Sequence, residues 1–183
     1  SIIGSQEQLG ELYRAPGRIA AAKKTAVLDQ ATAEFVARSP FVLIATLGAD
    51  GGLDVSPRGG PAGFVRVIDD HHVALPDLNG NNLIDSIRAV VASGRAGLLF
   101  VVPGKDETVR INGPAWVTTD AATLDRWDDE LRRPTTAIVV RVEEVFMHCA
   151  KAFRRGHVWD PASWDDLADV PDGLDILNAQ GLV

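Results

Sequence analysis

The sequence predicts a mainly β protein: a small barrel of six or seven short, mainly antiparallel strands, with helices flanking it. Three observations lead there. Apolar runs of strand length recur through residues 40–147, glycine- and aspartate-rich turn signals separate them, and few helical patterns intervene. Residues 1–39 read as N-terminal helices, and 148–183 as a basic helix followed by an acidic tail, all within one domain of 183 residues.

Each element has its own signal. Ser5 and Gln8 fit a capping box, Ala15-Pro16-Gly17 breaks the first helix, and a second runs from about Asp29 to just before Ser39-Pro40. FVLIATL is continuously apolar, as a buried strand would be, and the Ala49-Asp50-Gly51-Gly52 turn leads into a strand over residues 53–56. Residues 64–68 and 73–75 form a hairpin across Asp69-Asp70-His71-His72, which puts both histidines in an exposed turn. Strands follow at 98–102, 109–117 and 137–146, the last preceded by a helix with Leu124, Trp127 and Leu131 on one face. Trp127 reads as packing between helix and barrel, and Trp159 and Trp164 as anchors of the tail.

Composition narrows the classes. A formal charge of −7 argues against a general nucleic-acid binder. Cys149 is the one cysteine, so no internal disulfide forms, and there is neither a secretory pattern nor an 18-residue apolar stretch. Cytoplasm is the default expectation, without a membrane partner.

Three segments carry chemistry. DVSPRGGPAGFVRV (residues 54–67) places Ser56 and Arg58 in a glycine- and proline-rich turn after a strand, a hydroxyl and a guanidinium fork suited to an anion. A strand connection with a solvated arginine is the plainer reading. PDLNGNNLIDSIRAV (residues 76–90) puts Gly80, Asn81 and Asn82 where a helix begins, with free N–H groups and a positive dipole end, and Ser86 one turn further in. In the strand TVRINGPA, Thr108, Arg110 and Asn112 alternate and share one face.

In this order, SPRG, PDLNGNN, ETVRING and VFMHCAKAFRR resemble the pyridoxamine 5'-phosphate oxidase-like, FMN-binding split barrels. More narrowly, they resemble a subgroup described only as candidate FMN-dependent enzymes of unknown substrate. The likeness covers roughly residues 31–159. It implies a split β-barrel, a homodimer with FMN at the interface, and a flavin-dependent oxidoreductase acting on a small molecule. Arg58 would pair with the FMN phosphate, helped by Ser56, Asn81, Asn82 and Ser86, and Pro76 and Asp77 would line the edge of the isoalloxazine ring. Asp77 is otherwise an ordinary turn carboxylate. Thr108 and Arg110 would reach a cofactor held mainly by the other subunit, unless Arg110 pairs with Glu107 or Asp106 in its own chain.

Departures from the biosynthetic oxidase matter too. Thr108 stands where that enzyme carries glutamine, Asn81 and Asn82 replace cations, and its C-terminal Trp-x-Arg pattern is missing. Amides replacing cations weaken charge-assisted phosphate contacts, leaving the phosphate to Arg58 and backbone donors. In place of the missing pattern stands HCAKAFRRGHVW. If helical, His148, Lys151 and Arg155 share a face with Arg154 beside it, a candidate surface for an acidic substrate or else a solvated face neutralising the tail. His148-Cys149 alone is too little for a metal site, and Cys149 reads as a buried structural thiol rather than a reactive one. No nucleophile elbow or dinucleotide fingerprint is present, and no catalytic side chain is singled out, because a flavin carries the redox chemistry itself. A deazaflavin-binding barrel, a haem-binding barrel with His148 or His157 as ligand, and a non-catalytic flavin module are the alternatives.

Overall fold

A computed structural model describes residues 2–18, 22–78, 80, 83–127 and 132–183. Helix α1 (Gln6–Leu12) starts on Ser5, whose hydroxyl accepts from the Gln8 amide at 3.3 Å, while the Gln8 side chain reaches back to the amide of Gly4 rather than of Ser5. Helix α2 (Gln30–Arg38) starts on Asp29, whose carboxylate takes the Thr32 amide and hydroxyl at 2.9 and 3.0 Å. Those bonds hold the Asp29 carboxyl below its ordinary pKa.

Among the described residues eight strands follow, where six or seven were expected: β1 (Phe41–Leu47), β2 (Leu53–Gly59), β3 (Arg66–Asp69), β4 (His72–Pro76), β5 (Arg95–Val101), β6 (Thr108–Thr118), β7 (Ala137–Arg141) and β8 (Glu144–His148). Helix α3 (Asp85–Ser93) lies between β4 and β5, and α4 (Ala121–Leu124) between β6 and β7. All pairings are antiparallel, in the order β2-β1-β5-β6-β7-β4-β3, with β8 also paired to β6. The sheet curls without closing, which is a split barrel.

The additional strand comes from dividing the run predicted at 137–146. From Asn112↔Glu144 to Ala115↔Val140, β6 advances three residues and its partner four, so the partner carries one extra residue, a bulge. Gly113 lies opposite, and a Cβ there would run into the Arg141 carbonyl oxygen. The bulge bends the chain so that β7 joins one half of the barrel and β8 the other, while β6 belongs to both.

Inside, Val42 and Ile44 of β1, Leu98 and Phe100 of β5, Val109 and Ile111 of β6, and Val73, Leu75 and Val140 form one core. A smaller cluster around Leu124 and Trp127 closes one end, where the Trp127 indole donates to the Phe64 carbonyl at 2.7 Å. This is the packing expected of Trp127; Leu131 lies outside the described residues. FVLIATL is not buried on both faces. Val42, Ile44 and Thr46 point into the core, whereas Phe41, Ala45 and Leu47 are exposed, as are Leu53 and Val55 beside them on β2.

After β8, a short helix α5 (Lys151–Arg155) leads into a tail that includes α6 (Gly173–Ala179), in which every residue from 160 to 183 is exposed. Trp159 anchors its start by donating to the Lys105 carbonyl at 2.8 Å, and the Trp164 indole donates to the His157 carbonyl at 3.3 Å.

A methyl group at position 113 must displace the backbone of the bulge. Gly113→Ala should lower stability by roughly 1–3 kcal/mol or prevent folding, measured by chemical denaturation. A variant as stable as wild type would mean that the bulge does not need the close approach.

Candidate functional site

Strand β2 continues through residues expected to form a loop: Ser56, Pro57 and Arg58 pair in register with Ile44, Leu43 and Val42. Proline is tolerated because β2 is an edge strand, where its missing N–H leaves no ladder bond unmade. Period-two alternation then puts Asp54, Ser56 and Arg58 on one half-buried face, beneath α3.

These three side chains and Ser86 of α3 form a chain of hydrogen bonds. Arg58 Nη1 donates to Ser56 Oγ and, at 2.9 Å, to the Pro57 carbonyl, while Nη2 donates to Ser86 Oγ at 3.1 Å. Ser86, buried in the first turn of α3, donates its own proton to Asp54 Oδ2 at 2.6 Å, with the Thr46 hydroxyl 3.4 Å from the same oxygen. The guanidinium is therefore held in place before any ligand arrives. It stands at a nine-residue helix start that no side chain caps, a combination suited to an anion. Asp54 escaped the sequence reading; its alternation with Ser56 and Arg58 was the available signal. Asn81 and Asn82, expected at this helix start, lie outside the described residues.

The ring-side candidates sit at the end of β4. Pro76 is buried and pairs with Ala137, and the half-buried Asp77 is fixed by its amide donating to the Thr136 carbonyl at 2.9 Å.

A second group lies on the outer face of the sheet. Thr108, Arg110 and Asn112 share a face as expected, opposite His148, Phe146 and Glu144 of β8. Arg110 pairs with neither Glu107 nor Asp106. Its Nη2 lies 2.8 Å from Glu144, which also binds Lys24 at 2.7 Å and accepts from Asn112 at 3.1 Å. Lys24 and Arg110 together hold the Glu144 carboxyl below its ordinary pKa. The Arg110 guanidinium stacks 4.3 Å from the centre of the Phe146 ring, with the Lys23 and Lys24 ammonium groups 5.0 and 5.4 Å from it. Lys23 and Lys24, read from sequence as solvated, are thus part of a built cluster, brought there by the bridge from Thr25 to Val145.

The predicted basic helix face is not formed. Pairing of Thr108 with His148 keeps the histidine in β8, so the helix begins only at Lys151. His148 instead packs against Phe146, their ring centres 4.7 Å apart, and burial, with Arg110 and Lys23 nearby, pushes its pKa below the ordinary value. Arg154 is tied to Asp106 at 2.8 Å, whereas Lys151 and Arg155 stand exposed on α5. Cys149 is exposed rather than buried, and the Lys151 amide lowers its thiol pKa. In the β3–β4 turn His71 is exposed, but His72 begins β4 half-buried, 2.9 Å from Asp69 and edge-on to Trp116.

A family model for pyridoxamine 5'-phosphate oxidase matches residues 28–149, well over half the chain. The chain belongs to that family. No curated protein matches the sequence. Among solved structures, the pyridoxamine 5'-phosphate oxidase-like barrel of this chain is similar to HupZ of Group A Streptococcus, with a TM-score of 0.55 and 18% identity over 66% of this chain and 93% of that one. A presumed pyridoxamine 5'-phosphate oxidase from Lactobacillus delbrueckii gives 0.50 and 23%, covering 68% and 98%. The conserved protein Rv2991 of Mycobacterium tuberculosis gives 0.50 and 17%, covering 73% and 91%. At these identities the likeness establishes the shared fold. No helix among the described residues is long and apolar enough to cross a membrane.

The lowered pKa of His148 has a definite sign. Below its ordinary value of 6.5 the unfolded chain takes up a proton that the folded protein resists, so stability falls with pH until the folded pKa is passed. Urea unfolding at pH 7, 6 and 5 should show wild type losing more stability on acidification than His148→Gln. Parallel losses would show that His148 is not the group responsible.

Proposed function

We propose that the protein is an FMN-dependent oxidoreductase, with the cofactor phosphate held at the start of α3. One observation carries the reading: Arg58 is held by Ser56 and Ser86 beside an uncapped helix start. The donors fit a phosphate, since a guanidinium fork and free backbone N–H groups converge from two elements. Ser86 commits its proton to Asp54 and so acts mainly by holding Arg58, while Asn81 and Asn82 would complete the seat as neutral donors.

Pro76 and Asp77 would line the ring edge, with the Asp77 carboxylate accepting the imide N–H. When bound, FMN supplies two-electron chemistry by exchanging hydride at its N5 position. The chain's own residues would bind and orient it.

The same reading includes a homodimer. Phe41, Leu47, Leu53 and Val55 leave an apolar sheet face open, the kind of surface that a second copy would cover. Arg110 lies at the charged end of that face, where it could reach a cofactor held by the other subunit, whereas Thr108 beside it is buried. His148 lies beside them, and Lys151, Arg154 and Arg155 follow on α5 as candidate contacts for an acidic substrate.

The purified protein should take up FMN with flavin absorbance, and reduction by NAD(P)H separates an enzyme from a storage module. Arg58→Ala should weaken FMN binding by about 2 kcal/mol, roughly thirtyfold, in a fluorescence titration. Unchanged affinity would remove Arg58 from the cofactor site. Uptake of only a deazaflavin or haem would keep the barrel and replace its chemistry.

A further inference from the structure

Residues 160–183 form a long segment that the rest of the described chain leaves uncovered. Every one of them is exposed, and they include Trp164, Leu167, Val170, Leu174, Ile176 and Leu182. The segment is nonetheless built: Asp166 caps a short helical turn, and α6 opens on a capping box in which Asp172 and Asp175 each accept the other's amide. A helix of seven residues is marginal in water by itself, so its order depends on laying its apolar side chains against a partner.

Charge selects the partner. The segment holds six of the 25 acidic residues and none of the 18 basic ones, so nearly all of the net charge of −7 resides in it. An anionic membrane surface or a nucleic acid would repel it, and a basic surface would attract it. The chain carries a match at its other end, where Arg14, Arg18, Lys23 and Lys24 outnumber Glu7 and Glu11. Helix α1 buries no residue either, and Leu12 and Tyr13 beside it are exposed.

Both segments leave the barrel at β8. The first joins that strand through the bridge from Thr25 to Val145, and the Lys23 ammonium donates to the Met147 carbonyl at 2.9 Å, with no carboxylate partner among the described residues. The last is pinned past the end of β8, where Arg154 meets Asp106 and Trp159 donates to the Lys105 carbonyl in the turn between β5 and β6. Within one chain neither segment covers the other.

We infer that residues 160–183 are an arm that docks on a second copy of this chain, its apolar side chains covered by that copy's basic first segment and its aspartates meeting Lys23 and Lys24 there. Two-fold symmetry makes the contact twice. Asp166, Asp172 and Asp175 are committed to helix starts, which leaves Asp165 and Asp169 as the carboxylates offered to the lysines. The inference rests on the homodimer of the proposed reading and is independent of its cofactor.

Isotope-labelled and unlabelled protein, refolded together, tests the pairing. Native mass spectrometry reports the mixed dimers, and a water-soluble carbodiimide joins lysine to carboxylate where the two touch. Links from Lys23 or Lys24 to Asp165 or Asp169 should join one labelled and one unlabelled peptide, beside a Lys24–Glu144 link within each copy. Asp165→Lys/Asp169→Lys alters only exposed residues that cap nothing, and should raise the dimer dissociation constant at least tenfold in sedimentation while the circular dichroism of the folded barrel is kept. Mixed dimers whose arm links are absent or confined to one copy, or a variant that dimerises as wild type does, would overturn the inference and leave the homodimer standing. A wild-type protein that stays monomeric would overturn both.

Discussion

Strand β6 belongs to both halves of the barrel, and the cation cluster on the outer face is placed by it. Its first residues pair with β5 and β8 and its last with β7, and the transition requires the bulge opposite Gly113. Without that extra residue, β7 and β8 would be one straight strand. Glu144, Phe146 and His148 would then fall on the opposite face, because a one-residue slip inverts every side chain of a strand. The cation cluster around Phe146 is thus a direct consequence of a bulge a few residues before it, which Gly113 on the facing strand makes room for.

The proposed cofactor seat depends on a different economy. Arg58 projects from an edge strand and would be mobile if nothing held it. Ser86 ties it to α3 and donates a hydrogen bond to Asp54, so one cation, two hydroxyls and one carboxylate are fixed as a unit. Asp54 weakens the field at the seat while making it rigid. For a charged ligand, such preorganisation lowers the ordering cost of binding.

Much of this was legible in the sequence. The cap at Ser5, the start of the next helix near Asp29, most of the strands, and the packing role of Trp127 follow from local chemistry and periodicity. SPRG read as a loop because glycine and proline ordinarily break strands, a rule that relaxes at an edge. The run at 137–146 read as one strand because a bulge leaves no mark in hydropathy, only a glycine on the facing strand. His148 was placed on a helix because its neighbours favour one, whereas long-range pairing with Thr108 decided the matter. Lys23 and Lys24 could not be assigned, since their partners lie more than eighty residues away.

In the proposed reading, a second copy would cover the apolar outer face and the cofactor would be recognised by its phosphate rather than by the ring alone. The most direct measurement compares FMN with riboflavin, which has the same ring and no phosphate, in equilibrium titrations with the wild-type protein. Riboflavin binding at least tenfold more weakly is the result that follows from a phosphate held by Arg58. Equal affinity for the two would contradict it.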